Sequence, residues 1–133
     1  MKKESAAYLL ARLPIGMSML GHGIVRIPKL DKFSGYLVEQ FDKSFLPTSL
    51  VQSFGYVLPW VELIIGILLI LGLFTRFACV LGVLTIVGLI FGSTMLEEWD
   101  HVSWQMIYGV YFALLYHFAD HNYYSVDNLL KRT

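Results

Sequence analysis

The feature that most constrains the fold is a long apolar run that contains a single charged residue. Residues 58–74 read LPWVELIIGILLILGLF, and Glu62 is the only formal charge between Lys43 and Arg76. About 20 apolar residues cross the hydrocarbon core of a bilayer as an α-helix, so this run predicts a membrane helix. A carboxylate inside such a helix costs roughly 2.5–3.5 kcal/mol on insertion scales and needs a partner, a proton or a wet cavity. Glu62 is therefore the first candidate for function.

Composition places the whole chain in the integral membrane class. Of the 133 residues, 56% are hydrophobic and 15% are charged, whereas charged residues make up about 25% of a typical soluble domain. Ten basic and ten acidic residues balance each other, which argues against nucleic-acid binding. The single cysteine, Cys79, excludes a disulfide or a cysteine-based metal site within one chain. We expect one domain that covers residues 1–133, with no metal site.

Four apolar segments predict four transmembrane helices, at residues 6–25, 51–74, 77–96 and 102–119. Each is close to the length of a bilayer span, and such continuous runs exclude the alternating pattern of a membrane β-barrel. The first segment has some features of a signal peptide, but Arg12 interrupts it and no clear small-residue cleavage site follows. We interpret it as a retained helix. The predicted fold is an all-α integral membrane four-helix bundle.

The connection between the first two predicted helices is long and charged. Within it, Phe33, Leu37 and Phe41 recur at i, i+4 spacing, and Phe45 extends the series. This spacing puts the aromatic and aliphatic side chains on one face. We predict a short amphipathic helix that lies in the membrane interface and is closed by Pro47.

The distribution of basic residues in the short turns predicts the topology. Arg76 lies in the turn between the second and third predicted helices, whereas the next turn, residues 97–100, is wholly acidic. This asymmetry favours a multi-pass membrane protein with both termini in the cytoplasm. The expected location is the cell inner membrane.

Depth along antiparallel helices predicts a polar cluster near the outer ends of the spans. For Glu62, a buried carboxyl that only fixes helix register is an equally good interpretation. For His22, the alternative interpretation is a histidine that lies in the membrane interface and binds no ligand. The expected cluster is Glu62, His22, Gln105 and Tyr108, with Arg26 and Lys29 within reach.

Arg12 is expected at the opposite, inner end of the spans. Its long side chain can extend to the interface, or it can form an ion pair with Asp120 or Asp127. These structural roles compete with a role in ligand binding.

A quinone is the candidate small molecule for the outer cluster. A quinone site needs an apolar slot for the ring and tail, together with a proton donor or acceptor for each carbonyl. Glu62, His22 and Tyr108 are side chains of suitable types.

Haem is disfavoured. A b-type haem in a membrane bundle needs two axial histidines at matching depth. His117 and His121 lie at i, i+4 on one helix and cannot bind opposite faces of one haem, so only His22 and His101 could pair.

Several motifs together resemble the DoxX family of small membrane proteins. From Glu62 to Arg76, the chain is close to the family pattern E-x3-G-x-LL-x-LG-x-x-TR. Residues 123–130, YYSVDNLL, resemble the family's S-x-D-x-x-L tail, although residues 121–124 replace the usual glycine-rich lead-in. The first predicted helix adds Arg12-x3-Gly16, then His22-Gly23, and then Lys29.

The resemblance implies a four-helix membrane protein with family-type polar positions at Arg12, His22, Lys29, Glu62 and Arg76. The family takes its name from a subunit linked to thiosulfate:quinone oxidoreduction. Other relatives look like membrane partners of redox or thiol-stress enzymes, so the fold transfers to this chain better than any one activity.

We predict an integral membrane subunit of a redox system with a quinone-facing pocket around Glu62 and His22. No complete catalytic constellation lies on this one chain, so an oxidoreductase activity is expected to need a soluble or membrane partner enzyme. The candidate ligand-binding residues are Arg12, His22, Lys29, Glu62, Gln105 and Tyr108.

Two other functions stay open. The chain could be a non-enzymatic membrane scaffold that anchors soluble partners. It could also be a small transporter or proton-coupled carrier. That would require a homo-oligomer, because four spans make a small carrier and no inverted repeat is detectable.

Overall fold

The computed structural model describes residues 2–132, which form helices and turns without any strand. In chain order the helices are α1 (Lys2–Arg26), α2 (Leu30–Gln40), α3 (Thr48–Leu71), α4 (Thr75–Met95), α5 (Trp99–His117) and α6 (Val126–Arg132). Single 3-10 turns lie at Ile27–Lys29 and Ala119–His121. The predicted all-α class is confirmed, and each of the four predicted apolar segments falls on one of the four long helices.

Helix α3 is the element against which α1 and α2 pack. Both run antiparallel to it, with α1 along its C-terminal half and α2 along its N-terminal half. The buried Ser34 of α2 donates its hydroxyl to the backbone carbonyl of Gln52 at 2.9 Å. Next to it, the Tyr56 hydroxyl donates to the Asp31 carboxylate. Together α1 and α2 therefore pack along the length of α3.

The helix predicted between α1 and α3 is confirmed, but its predicted end at Pro47 is wrong. Helix α2 stops at Gln40, and Pro47 precedes the first residue of α3 instead of closing α2. Ser44 donates both its amide and its hydroxyl to the carbonyl of Phe41, which forms a turn and breaks the helical spacing. As a result Phe45 does not continue the apolar face, and it is 79% exposed.

A close approach of two backbones holds α1 against α3. A Cβ atom built on Gly66 would lie 2.6 Å from the Cα atom of Leu20, which is shorter than any real contact. Small residues permit such approaches between membrane helices, where van der Waals packing rather than hydrophobic burial drives association. Gly66 and Gly23, whose Cβ would lie 2.8 Å from the Cα atom of Leu63, therefore set the separation of α1 and α3.

Helix α3 ends at Leu71 because Gly72 takes a left-handed conformation with φ 69°. The amide of Leu73 then donates back to the carbonyl of Leu68 at 2.9 Å, as in a Schellman-type helix end. The predicted span continued to residue 74, so the helix stops three residues earlier.

The central core lies where α1, α3, α4 and α5 meet. Helices α4 and α5 form an antiparallel hairpin in which the ring of Phe112 covers Gly82. The most deeply buried apolar side chains of this core are Ile65, Leu69, Ala78, Cys79 and Phe112.

Among the helices of residues 2–132, two are long and apolar enough to cross a membrane by length and composition, α3 and α4. Only 39% and 33% of their most apolar windows are buried within the chain. Most of their apolar side chains therefore point outward, where a membrane would cover them. Membrane crossing by α1 and α5 stays a prediction.

Replacement of Gly66 by alanine is expected to destabilise the protein. The added methyl group overlaps the backbone of α1, and overpacking of this kind costs about 1–3 kcal/mol. The matched control is Gly21→Ala, because a Cβ there meets nothing within 4 Å. Thermal unfolding in detergent should show a lower midpoint for Gly66→Ala alone. Equal midpoints for the two variants would contradict the close approach.

Candidate functional site

A cavity of about 470 Å³ opens between α1, α2, α3, α4 and α5, and we call it the outer cavity. Helix α2 forms one side of it through Phe33 and Leu37. Four of the six predicted ligand-binding residues line it, and these are His22, Glu62, Gln105 and Tyr108. The structure therefore brings these four side chains to one space, while their binding role stays a prediction.

An ion pair between Arg26 and Glu62 forms the charged wall of the outer cavity. Nη1 of Arg26 donates to Oε1 of Glu62 at 2.9 Å. The Glu62 side chain is only 5% exposed and that of Arg26 is 30% exposed. The carboxylate thus has the partner that its position inside an apolar helix requires.

The guanidinium of Arg26 is also held by an aromatic ring. Its central carbon lies 4.4 Å from the centroid of Phe33, within the range of a cation–π contact. Arg26 is the last residue of α1, Phe33 belongs to α2 and Glu62 belongs to α3. One side chain therefore connects three helices at the cavity.

Arg26 was placed within reach of Glu62 by the sequence but was not among the candidate binding residues. It follows His22 by four residues on α1, and residues at i, i+4 share one face of a helix. That spacing, on a helix that runs antiparallel to α3, is the signal that identifies Arg26 as the partner of Glu62.

His22 is oriented by its own helix. Its Nδ1 lies 2.7 Å from the backbone carbonyl of Ser18. A carbonyl only accepts hydrogen bonds, so Nδ1 carries the proton, and Nε2 is an acceptor when the ring is neutral. His22 is exposed rather than buried and lines the cavity with its ring available.

Gln105 and Tyr108 lie on the α5 side of the outer cavity. Nε2 of Gln105 donates to the hydroxyl of Ser93 on α4 at 3.0 Å, which fixes the orientation of the amide. Ser93 was not predicted as a site residue and is buried beside the cavity. His101 and Trp104 complete this side.

Lys29 and Arg12 do not belong to the outer cavity. Lys29 is exposed in the 3-10 turn after α1 and does not line that space. Arg12 lies near Gly72, where α3 ends, and is 2% exposed.

Arg12 neither extends to the surface nor forms an ion pair within residues 2–132, so both structural interpretations were wrong. Its guanidinium donates instead to Oδ1 of Asn122 and, at 3.0 Å, to the backbone carbonyl of Tyr124. The cation is held by neutral acceptors because the chain after α5 folds back over it. Asp120 pairs with Arg76 at 2.7 Å instead.

Asp127 caps the start of α4. Its two carboxylate oxygens accept hydrogen bonds from the amides of Phe74 (2.6 Å) and Thr75 (2.9 Å). These are the amides of the residue before α4 and of its first residue, at a helix end that lacks internal partners and favours a negative charge. Asn122 adds a bond from Nδ2 to the hydroxyl of Thr75 at 2.9 Å. We call Arg12, Thr75, Asn122 and Asp127 the inner polar cluster.

No group of three or more His, Cys, Asp or Glu side chains that could hold a metal ion occurs in the described part of the chain. His22 and His101, the pair considered for haem, both line the outer cavity. Nδ1 of His101 is engaged by Oε2 of Glu98 at 2.6 Å.

Comparison with known proteins gives one family match. The model of the DoxX family matches residues 7–94, which is 88 of the 133 residues. The matched part contains the Arg26–Glu62 pair, whereas α5 and the residues after it lie outside the match. No curated protein and no solved structure matches the chain.

Removal of Arg26 is expected to destabilise the protein more than removal of both charges. Arg26→Met leaves a buried carboxylate without its cation, a loss of at most about 3–5 kcal/mol because Arg26 is partly exposed. Adding Glu62→Gln to Arg26→Met should recover most of that loss. Thermal unfolding of the single and double variants measures this coupling, with Lys29→Met as the exposed control. If the stability loss in the double variant equals the sum of the losses in Arg26→Met and Glu62→Gln, the ion pair does not stabilise the fold.

Loss of the Asp127 carboxylate is expected to loosen the start of α4. Removing a helix cap typically costs about 1 kcal/mol, so Asp127→Ala should lower the unfolding midpoint. Asp120→Ala is the matched control, since its ion pair with Arg76 is exposed and contributes little. Hydrogen exchange of the Phe74 and Thr75 amides should accelerate in Asp127→Ala only. Unchanged exchange would contradict the capping role.

Proposed function

Because the chain belongs to the DoxX family, we propose that it is an integral membrane subunit of a redox system. In this proposal the outer cavity binds the headgroup of a quinone. The family membership indicates a membrane protein, and the quinone and redox roles are the steps beyond it.

The observation that carries the proposal is the Arg26–Glu62 pair in the wall of the outer cavity. A quinone is an apolar ring with two carbonyl oxygens that accept hydrogen bonds. Arg26 and the hydroxyl of Tyr108 are donors of the kind that hold such oxygens. The volume of about 470 Å³ lies within the range of small-molecule sites.

The side chains of the cavity divide into those that hold the ring and those that exchange protons. Apolar residues such as Met19, Leu58 and Phe112 line the space and fit a flat apolar ring. Among the titratable side chains of the cavity, His22 and Glu62 are the two that we propose accept or return a proton. When bound, the quinone supplies two-electron, two-proton chemistry.

In this proposal a partner oxidoreductase supplies the electrons. The chain contributes the membrane site at which the quinone accepts them. We place the four long helices across the inner membrane with both termini in the cytoplasm. Helix α2 then lies at the outer interface, beside the mouth of the cavity.

The test is quinone reduction by the complex that is recovered when the tagged chain is purified from native membranes in a gentle detergent. Mass spectrometry identifies the partner. We expect Glu62→Gln to lower kcat/KM for quinone reduction by about 10²-fold, the usual contribution of a positioned acid or base. Asp120→Asn, at the other end of the molecule, is the matched control.

The outcome separates the proposal from its main rival. If the chain is a non-enzymatic scaffold, the purification still recovers soluble partners. Glu62→Gln then changes expression or thermal stability and leaves turnover intact. Recovery of the chain without an oxidoreductase, together with no quinone binding, would contradict the proposed function and direct attention to transport.

A further inference from the structure

A second cavity of about 240 Å³ adjoins the outer cavity, and we call it the α4 groove. Gly88 and Gly92 of α4 form its floor. Its walls come from α3 and from the connection that precedes it, including Phe41, Leu50 and Phe54. None of the residues that line it is charged, and Ser93 is the polar one among them.

The α4 groove and the outer cavity share part of their walls. Leu37, Phe54, Leu89 and Ser93 line both spaces. The charged residues of the combined space, Arg26, Glu62 and Glu98, all line the outer cavity, and the groove with the two glycines is apolar. A ligand that fills both spaces therefore needs a polar head and an apolar extension.

The glycines of α4 leave the floor of the groove open. A Cβ atom built on Gly88 would meet only the ring of Phe54, at 3.8 Å, and one built on Gly92 would meet only the ring of Phe41. Gly88, Leu50 and Phe91 are exposed, so the groove opens on the outer surface of α4. Since α4 is one of the two helices apolar enough to cross a membrane, that surface is where lipid would lie.

We propose that the α4 groove holds the isoprenoid tail of the quinone and guides it from the outer cavity into the bilayer. The substrate is then a lipid-embedded quinone with a long tail and not a soluble, tail-less one. This inference rests on the proposed function. It commits the groove to the quinone tail, because the groove adjoins the charged cavity at the four shared residues.

The test compares two probes that have the same benzoquinone headgroup. One carries a methyl group in place of the tail, and the other carries a chain of three isoprene units. Binding is followed by the quenching of Trp104, which lines the outer cavity, in phosphatidylethanolamine–phosphatidylglycerol nanodiscs. Trp104→Phe defines the background from other tryptophans, and quinone concentrations are expressed per lipid.

Gly88→Leu is expected to weaken binding of the isoprenyl probe by at least about tenfold, because the tail meets the added side chain in an overpacked groove. Binding of the methyl probe should not change. The matched control is Gly35→Leu on α2, where a Cβ meets nothing within 4 Å. Thermal unfolding of both variants checks that they are folded, which the ordinary contact at Gly88 favours.

A photolabel gives an independent readout in the unmodified protein. A diazirine on the isoprenyl chain should label peptides from residues 41–54 or 88–93. Labelling elsewhere would overturn the inference, as would an equal effect of Gly88→Leu on both probes or no effect on either. A phospholipid with a diazirine in its acyl chain that labels the groove, and is not displaced by the isoprenyl probe, would assign the groove to lipid.

The failure of the inference and that of the proposed function are distinguishable. If Glu62→Gln abolishes binding of both probes and Gly88→Leu affects neither, the headgroup site holds and the tail path is wrong. If neither probe binds the unmodified protein, both the proposed function and the inference about the quinone tail are wrong.

Discussion

The ion pair between Arg26 and Glu62 is the contact around which the described helices are arranged. Glu62 is the fifteenth of the 24 residues of α3, so no rotation of its side chain brings the carboxylate to either end of the helix. A cation has to come to it, and Arg26 can do so because the contact at Gly66 brings the backbones of α1 and α3 together. The same guanidinium lies against Phe33 and thereby fixes α2 beside the cavity.

Arg26 and Arg12 solve the same electrostatic problem in different ways. Arg26 faces a carboxylate and is partly exposed, which leaves a polarised pair beside an open space. Arg12 is almost wholly buried and is held by an amide oxygen and a backbone carbonyl. The Arg26–Glu62 pair faces an open space, and it is the one at which we place chemistry.

Much of the fold follows from the sequence because apolar runs of span length have few alternatives. The four long helices and the convergence of Glu62, His22, Gln105 and Tyr108 were predictable from segment length and antiparallel depth. The end of α2 was not, because it depends on hydrogen bonds of Ser44 that compete with a helix. The environment of Arg12 was also not predictable, since Asn122 and Tyr124 are far from it in the sequence and no periodic pattern connects them.

The cap on α4 also has a consequence for biosynthesis. Asp127 follows Thr75 by 52 residues, and at about 5–20 residues per second the carboxylate is made roughly 3–10 s after the amides that it binds. During that interval the amides of Phe74 and Thr75 lack this partner. The end of the molecule that contains Gly72 and Asp127 is thus completed by a late step that joins the start of α4 to the segment after α5. A nascent chain that ends before Asn122 therefore lacks both the carboxylate for the Phe74 and Thr75 amides and the acceptors for the Arg12 guanidinium.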